Sequence, residues 1–549
     1  MTSNNLAAHF IKEYSQILFR FAPARATYIG IHDYDHLLGP SSADAWRTYL
    51  ANLTSWQKRL LELDLASLTQ EDREDLMLLS QSIDLELFRE RIWQHWQKNP
   101  DLIMNFAIGQ IFFLYQREFA PFPERLPNII ALLKQLPDYL LGARSWVQDP
   151  VELWTRKAIA SAEGIPTFLQ SILARAEGVV AKDTCLKLQQ VTERGIEAIK
   201  SHKTWLEAKV LPQAKGSWAL GADNYEKLLS IKQAPLSIPD MEALAEKVLK
   251  ETKAQLRRLA NELVPGGTVE DAATKVKQDH PSTFEEVVKE YEKALTATRE
   301  FILDKGLATI PPDEKLRLRE TPPFLRPFIP LAAYLDPAKY DPVQEGLFYV
   351  TPPGEDGKLL EEHNYGAIGY TTLHEGYPGH HLQAACSLKT ASFGKALCEC
   401  PIETTEGWAL YCEWMMEEQG FTLSPAAKFE QLRATLMRAI RVLVDIRMGK
   451  GLMSVEEAAA YLVREAYVEK SRALMEAELY TFLPTYFTGY LVGAHQIATL
   501  KEKSQTHQGD DFNERAFHDL ILSSYFFTIA TIEQRMRERG WLPPSLNSH

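Results

Sequence analysis

The run His374-Glu375-Gly376-Tyr377-Pro378-Gly379-His380-His381 decides how the rest of the chain is read. It sets a glutamate beside one histidine and places two more histidines after a Pro-Gly step. Imidazole is the commonest protein ligand for zinc, and a carboxylate next to a ligand can accept a proton from a metal-activated water. In the pattern His-Glu-x-x-His the two histidines stand four apart on one helical face. Here the fourth position is Pro378, so the partners offered to His374 are His380 and His381. An unbroken helix would carry the last of these roughly 10.5 Å along its axis, too far to share an ion bound at about 2.0–2.1 Å. Gly376, Pro378 and Gly379 therefore predict a bulge that absorbs two residues and returns a histidine to the face of His374. His380 is the expected ligand, because Gly379-His380 repeats the Gly-His step that often ends the shorter motif. His381 is the alternative, and if it is not a ligand it is expected to line the pocket and meet substrate.

A third ligand is expected from a helix downstream. Residues 401–419 have helix-forming composition, with Thr404 or Thr405 as N-cap and Gly420 as a stop. Glu406, 26 positions after His380, is the expected ligand, and Glu403 competes with it. Glu413 and Glu417 share nearly the same face as Glu406. One of them can hold a histidine proton from behind, but their default reading is as solvated helix carboxylates.

These residues carry a resemblance. His-Glu-x-x-Pro-Gly-His-His at 374–381, followed by Glu-Gly-Trp-Ala-Leu-Tyr at 406–411, resembles the hallmark of the bacterial domain-of-unknown-function family 885. That family is grouped with zinc-dependent peptidases of the His-Glu-helix clan. Leu220–Tyr225, Pro484, Tyr490, Gly493 and Phe517-His518-Asp519 match the family in order and spacing. The resemblance covers most of the chain and implies a mostly α, gluzincin-type fold with a small β element beside the metal helix. It also implies that Tyr490 stabilises the oxyanion, with Tyr486 as the alternative. Two departures stand out. After Arg441–Asp445 the family continues Thr-Gly-x-His, whereas this chain reads Ile446-Arg447-Met448-Gly449 and lacks the histidine. After Asp519 a Gly- and Pro-containing ending is replaced by Ser523-Ser524-Tyr525-Phe526-Phe527.

Composition bounds the alternatives. The chain has 549 residues, enough for a large core, and a net charge of −13, which argues against nucleic acid as a partner. Its opening residues lack a basic region followed by an apolar core, and no segment approaches the roughly 20 apolar residues that span a bilayer. No membrane partner and a cytoplasmic location are the expectation. Five cysteines make no disulfide framework, and Cys398-Glu399-Cys400 without a second pair is a weak metal signal.

Apolar positions at three-to-four spacing predict helices over 5–21, 44–66, 71–97, 126–142, 151–205, 239–263 and 282–305, and again from 366 onward over the metal helix, 404–419, 424–449, 454–474 and 486–505. Proline pairs near 121–123, 311–312 and 322–323 and Pro265-Gly266-Gly267 punctuate them. Residues 346–351 read as a short strand. In the clan an edge strand beside the metal helix takes extended substrate by main-chain pairing. The organisation expected is a helical lobe over 1–230 and a catalytic lobe over 231–549, with a cleft between.

The function expected is hydrolysis of peptide or related amide bonds in short substrates, with one Zn2+ on His374, His380 and Glu406 and Glu375 as general base. Arg441, with Arg438, is a candidate grip for a substrate carboxylate, against a default of ordinary ion pairs. His363, His495 and His518 read as structural. The competing class is a non-catalytic, metal-stabilised binding protein, supported by the missing histidine at 449 and opposed by the retained Glu375. A fourth protein ligand, such as His381 or Cys398, would favour it.

Overall fold

The computed structural model describes residues 3–322, 325–326, 329, 331–354 and 358–544; of the expected proline turn at 322–323, Pro323 lies outside them. The chain is mostly helical and divides into two compact units. The first holds residues 1–218 together with 337–344 and 391–398. The second holds 219–336, 345–390 and 399–549.

In the first unit, helices such as Ala43–Leu61, Phe122–Ala143 and Glu152–Ala176 bury apolar stripes of aliphatic and aromatic residues. Trp46, Trp56, Trp146 and Trp154 are almost wholly enclosed. The stretch expected as one helix over 151–205 is two, Glu152–Ala176 and Lys182–Trp205. Helix Asp101–Gln116 was not expected, because it is apolar around most of its circumference and shows no stripe. His32 ties segment 337–344 into this unit, with Nδ1 2.8 Å from Asp35 and Nε2 2.9 Å from Asp341.

The second unit is built around a three-stranded sheet and the helices that carry the motif. Strand β1 is Leu316–Glu320, β2 is Ala332–Leu335 and β3 is Gly346–Val350. Their order is β1-β3-β2, with β1 parallel and β2 antiparallel to β3. The expected strand at 346–351 exists, but it is the central one: Phe348, Tyr349 and Val350 are buried and both its edges are paired. The edge beside the motif helix is β2.

Local chemistry sets the helix ends. The motif helix Tyr365–Glu375 begins at Asn364, whose side chain accepts from Ala367 N, and helix Pro425–Gly449 begins at Ser424 with proline at its first position. Helix Ile238–Leu263 stops before Pro265-Gly266-Gly267, with Gly266 at φ 75°. Helix Ile402–Glu418 starts before Thr404 and Thr405, with Pro401 at the cap position and no side-chain cap, so the expected threonine caps are not there. Thr404 instead donates its hydroxyl to Phe527 O at 2.6 Å. Helix Gly489–Gln508 crosses Ile402–Glu418 at two glycines. A Cβ on Gly493 would fall 2.0 Å from Glu403 O, and one on Gly407 2.6 Å from Gly493 Cα.

Candidate metal centre

The motif solves its spacing problem by a break rather than a bulge. Helix Tyr365–Glu375 ends at Gly376, the Tyr377–Pro378 peptide is cis, and a new helix, His380–Leu388, starts at once. Both glycines are required by space. A Cβ on Gly379 would sit 1.9 Å from His374 O, and one on Gly376 would sit 2.4 Å from the Leu295 side chain. Trp408 Nε1 donates to Pro378 O at 2.9 Å, pinning the turn against helix Ile402–Glu418. The result sets the His374 and His380 rings 4.8 Å apart at 86°.

Glu406 completes the group. Its Oε2 lies 3.4 Å from His374 Nε2 and 3.4 Å from His380 Nε2. That oxygen is buried, and no hydrogen bond reaches it. Donors about 2.0–2.1 Å from one ion at tetrahedral angles stand about 3.3–3.4 Å apart, so these three atoms fit the donor set and spacing of a zinc site. Burial works against the charge of Glu406, but the neighbouring His380 and His374 rings hold its carboxyl well below the usual range. Burial likewise opposes a proton on His374, yet Glu406 and Glu413 push it up to about 9.

Glu375 is a second carboxylate at this group. A ligand atom of Glu375 and one each of His374 and His380 lie within 4.8 Å of one another. Glu406 has the better claim as ligand, being 3.4 Å from both nitrogens, whereas Glu375 Oε2 is already held by Tyr334 N at 3.0 Å.

Behind the histidines, the default reading of Glu413 as a solvated carboxylate does not stand. Glu413 is fully buried, and its Oε1 lies 2.9 Å from His374 Nδ1 and 3.1 Å from Arg438 Nη2. With Nδ1 donating to this carboxylate, Nε2 is the nitrogen turned toward Glu406 and available to an ion. Glu417 is the surface residue of the pair, bound to Lys428. Glu403 pairs with Lys232 at 3.1 Å and does not reach the group.

The remaining candidates divide. Tyr486 donates to Glu406 Oε1 at 3.2 Å, which turns Oε2 toward the histidines. The Tyr490 ring stacks at 6.5 Å from His374, and burial, with the Glu406 charge, keeps its phenol well above the usual range. Arg441 does not offer a free fork: its Nε is bound to Glu476 at 2.7 Å, and its guanidinium lies over the Phe487 and Tyr490 rings. Arg438 is committed to Glu413. His381 is 1% exposed and turned to Glu314, away from the pair it was expected to join or flank. His363 and His518 are held by Thr351 O and by Leu307 O with Tyr411, as structural histidines are.

Sequence reasoning passed over Asp445. It is 1% exposed, accepts from Tyr225 OH, Thr485 N and Phe487 N at 2.8–2.9 Å, and is pushed up to about 6 by burial against those donors. It anchors the turn that carries Tyr486. The ring of Tyr225 also explains Gly449, where a Cβ would meet that ring at 2.3 Å. A histidine cannot stand at 449 here, and the position lies roughly 16 Å along the helix from Arg438.

Among solved structures the chain is similar to a candidate lipoprotein of unknown function from Shewanella oneidensis, at 24% identity and a TM-score of 0.80, over 97% of this chain and 99% of that one. It is also similar to a candidate lipoprotein from Colwellia psychrerythraea, at 18% identity and a TM-score of 0.82, over 98% and 99%. At these identities the likeness speaks for the fold alone. No curated protein matches the chain. The family model for "Bacterial protein of unknown function (DUF885)" matches residues 23–536.

Proposed function

The chain belongs to the DUF885 family of bacterial proteins, and from that premise and the geometry of its site we propose that it is a zinc-dependent hydrolase of peptide or related amide bonds in short substrates. The observation that carries the reading is Glu406 Oε2, buried without a hydrogen bond and equidistant from two imidazole Nε2 atoms. A buried charged acceptor left without a donor is costly, and an ion on the three atoms removes that cost. Bound there, zinc would supply Lewis acidity and bring the acidity of water to near neutrality.

The protein groups divide the remaining work. Glu375 accepts the proton of the attacking water and returns it to the leaving amine. Tyr334 N keeps its Oε2 in place for that transfer. Glu413 fixes the tautomer and angle of His374, and Tyr486 fixes the rotation of Glu406. Tyr490, stacked along His374, is the proposed donor to the developing oxyanion. Among the described residues no further histidine or cysteine joins the group, so with Glu375 serving as base a position stays open for reaction. Against the alternative of a non-catalytic binding protein stands Glu375, a carboxylate beside His374 that a purely structural ion site has no use for.

The test has two arms. Purified protein should carry one zinc per chain by elemental analysis, and His374→Ala or Glu406→Ala should lose most of it. A peptide library should be hydrolysed by the wild type, with short peptides cleaved and denatured casein left intact. Full zinc content in both variants would move the site elsewhere. Among the described residues no helix is long and apolar enough to cross a membrane. The cytoplasmic assignment is likewise a proposal, to be checked by cell fractionation, since both similar structures are candidate lipoproteins.

A further inference from the structure

His381, the last residue of the motif, is conspicuous for what it avoids: it turns from the ion-binding group to a buried carboxylate. Glu314, whose side chain is 5% exposed, takes three donors: His381 Nε2 at 2.8 Å, Tyr377 OH at 2.7 Å and Arg299 Nε at 3.1 Å. An ionised carboxylate only accepts, so Nε2 of His381 carries its proton. The other nitrogen, Nδ1, lies 3.3 Å from the Tyr334 hydroxyl. Gly346 of β3 makes room for this meeting, since a Cβ there would be 2.5 Å from the Tyr334 oxygen and 2.8 Å from Nδ1.

Tyr334 is gripped at its other end by the base. In the β2–β3 pair, Leu331 O receives Thr351 N, so by alternation the main-chain groups of Ala332 and Tyr334 face away from β3. The outward Tyr334 N–H is the one that binds Glu375 Oε2 at 3.0 Å. One residue therefore joins two networks: its hydroxyl to His381 and Glu314, its amide to Glu375.

We propose that His381, Glu314 and Tyr334 form a positioning relay that fixes β2 and thereby decides whether Glu375 acts as base or swings in as an extra ligand. Glu375 is close enough to His374 and His380 to compete for an ion. A carboxylate tethered by a main-chain N–H keeps one oxygen out of that competition. His381 and Glu314 are thus positioning residues; neither touches the ion.

This inference rests on the hydrolase reading only for its kinetic arm. The structural arm uses metal-free full-length protein and hydrogen–deuterium exchange of the peptide spanning 331–336. Tyr334→Phe removes one hydroxyl and Glu314→Gln removes the charge that orients His381. Each should raise exchange in that peptide by about ten-fold, while the helix Ile402–Glu418 is unchanged. With zinc loaded, each should keep one zinc per chain and lower kcat at least about ten-fold with little change in KM, the signature of a misplaced base rather than lost binding. His381→Gln, which keeps a donor toward Glu314, should lose less than His381→Ala. Unchanged exchange in both Tyr334→Phe and Glu314→Gln overturns the relay, as does loss of zinc from His381→Gln. If the wild type hydrolyses nothing, the hydrolase reading fails, and the exchange data alone judge the relay.

Discussion

Glu413→Gln separates a carboxylate that serves an ion from one that merely neutralises a helix. The substitution keeps volume and keeps an oxygen for His374 Nδ1 and Arg438 Nη2, but it removes the charge. Two effects follow, of different size. Arg438, with a side chain 10% exposed, loses its buried counter-charge, and removing one partner of such a pair costs about 3–5 kcal/mol. For a unit of this size that corresponds to a drop in Tm of roughly 5–8 °C in calorimetry. His374 also exchanges a charged acceptor for a neutral amide oxygen, and changes at outer partners of this kind alter metal affinity about 10–100-fold, or about 1.4–2.7 kcal/mol. Zinc affinity measured by competition with a chromophoric chelator reads the second effect without the first. Glu417→Gln is the matched control from the same helix face. Its pair with Lys428 is 40% and 30% exposed, worth about 0–1 kcal/mol, and should leave both readouts unmoved. If Glu413→Gln lowers Tm but binds zinc within two-fold of wild type, Glu413 serves Arg438 alone, and the case for a built metal centre is weakened at its second layer.

Other outcomes follow from single contacts. Glu375→Gln should retain one zinc per chain and lose hydrolysis of the peptide library, since the amide keeps the shape but accepts no proton; unchanged turnover removes Glu375 from the mechanism. Gly379→Ala puts a methyl 1.9 Å from His374 O and should abolish zinc binding by elemental analysis; full occupancy would refute the required break between the two helices. His32 is held up to about 9 by Asp341 and Asp35 against the effect of burial. A base whose folded pKa exceeds its unfolded value of about 6.5 stabilises fully below that value and loses the contribution as pH rises through about 9. The Tm gap between wild type and His32→Gln should therefore be largest at pH 6 and close by pH 10. A gap that widens with pH would reverse the sign.

What the sequence disclosed follows the range of each interaction. The meeting of His374, His380 and Glu406 was legible because ligand chemistry restricts residue type and the glycines and proline mark where the backbone must turn. The manner of turning was not, since a bulge and a break differ only in which neighbour occupies the space, and that neighbour is Leu295 from a distant helix. Helices with a polar face were visible. Asp101–Gln116 was not, because apolar residues around most of its circumference leave no stripe in the sequence. The strand at 346–350 declared itself by composition, but its central place depends on the pairing of β2, whose four residues carry no alternation.

Glu413 marks the deeper boundary. On the helix Ile402–Glu418 it differs from Glu417 by one turn and by nothing in local sequence, yet one is sealed behind His374 and the other reaches Lys428 at the surface. The difference is made by helix Pro425–Gly449, whose Arg438 closes over Glu413 and whose Asp445 holds the turn bearing Tyr486. The same logic runs through His381. Beside a proposed ligand in sequence, it is committed by Glu314, 67 residues earlier, to the strand that holds Glu375. The proposed ligands are set by motif, whereas the groups that orient them are set by packing between segments far apart in the chain. The chemistry proposed for this site depends on both, and the variants that would damage it most without touching an ion are those at Glu413, Glu314 and Tyr334.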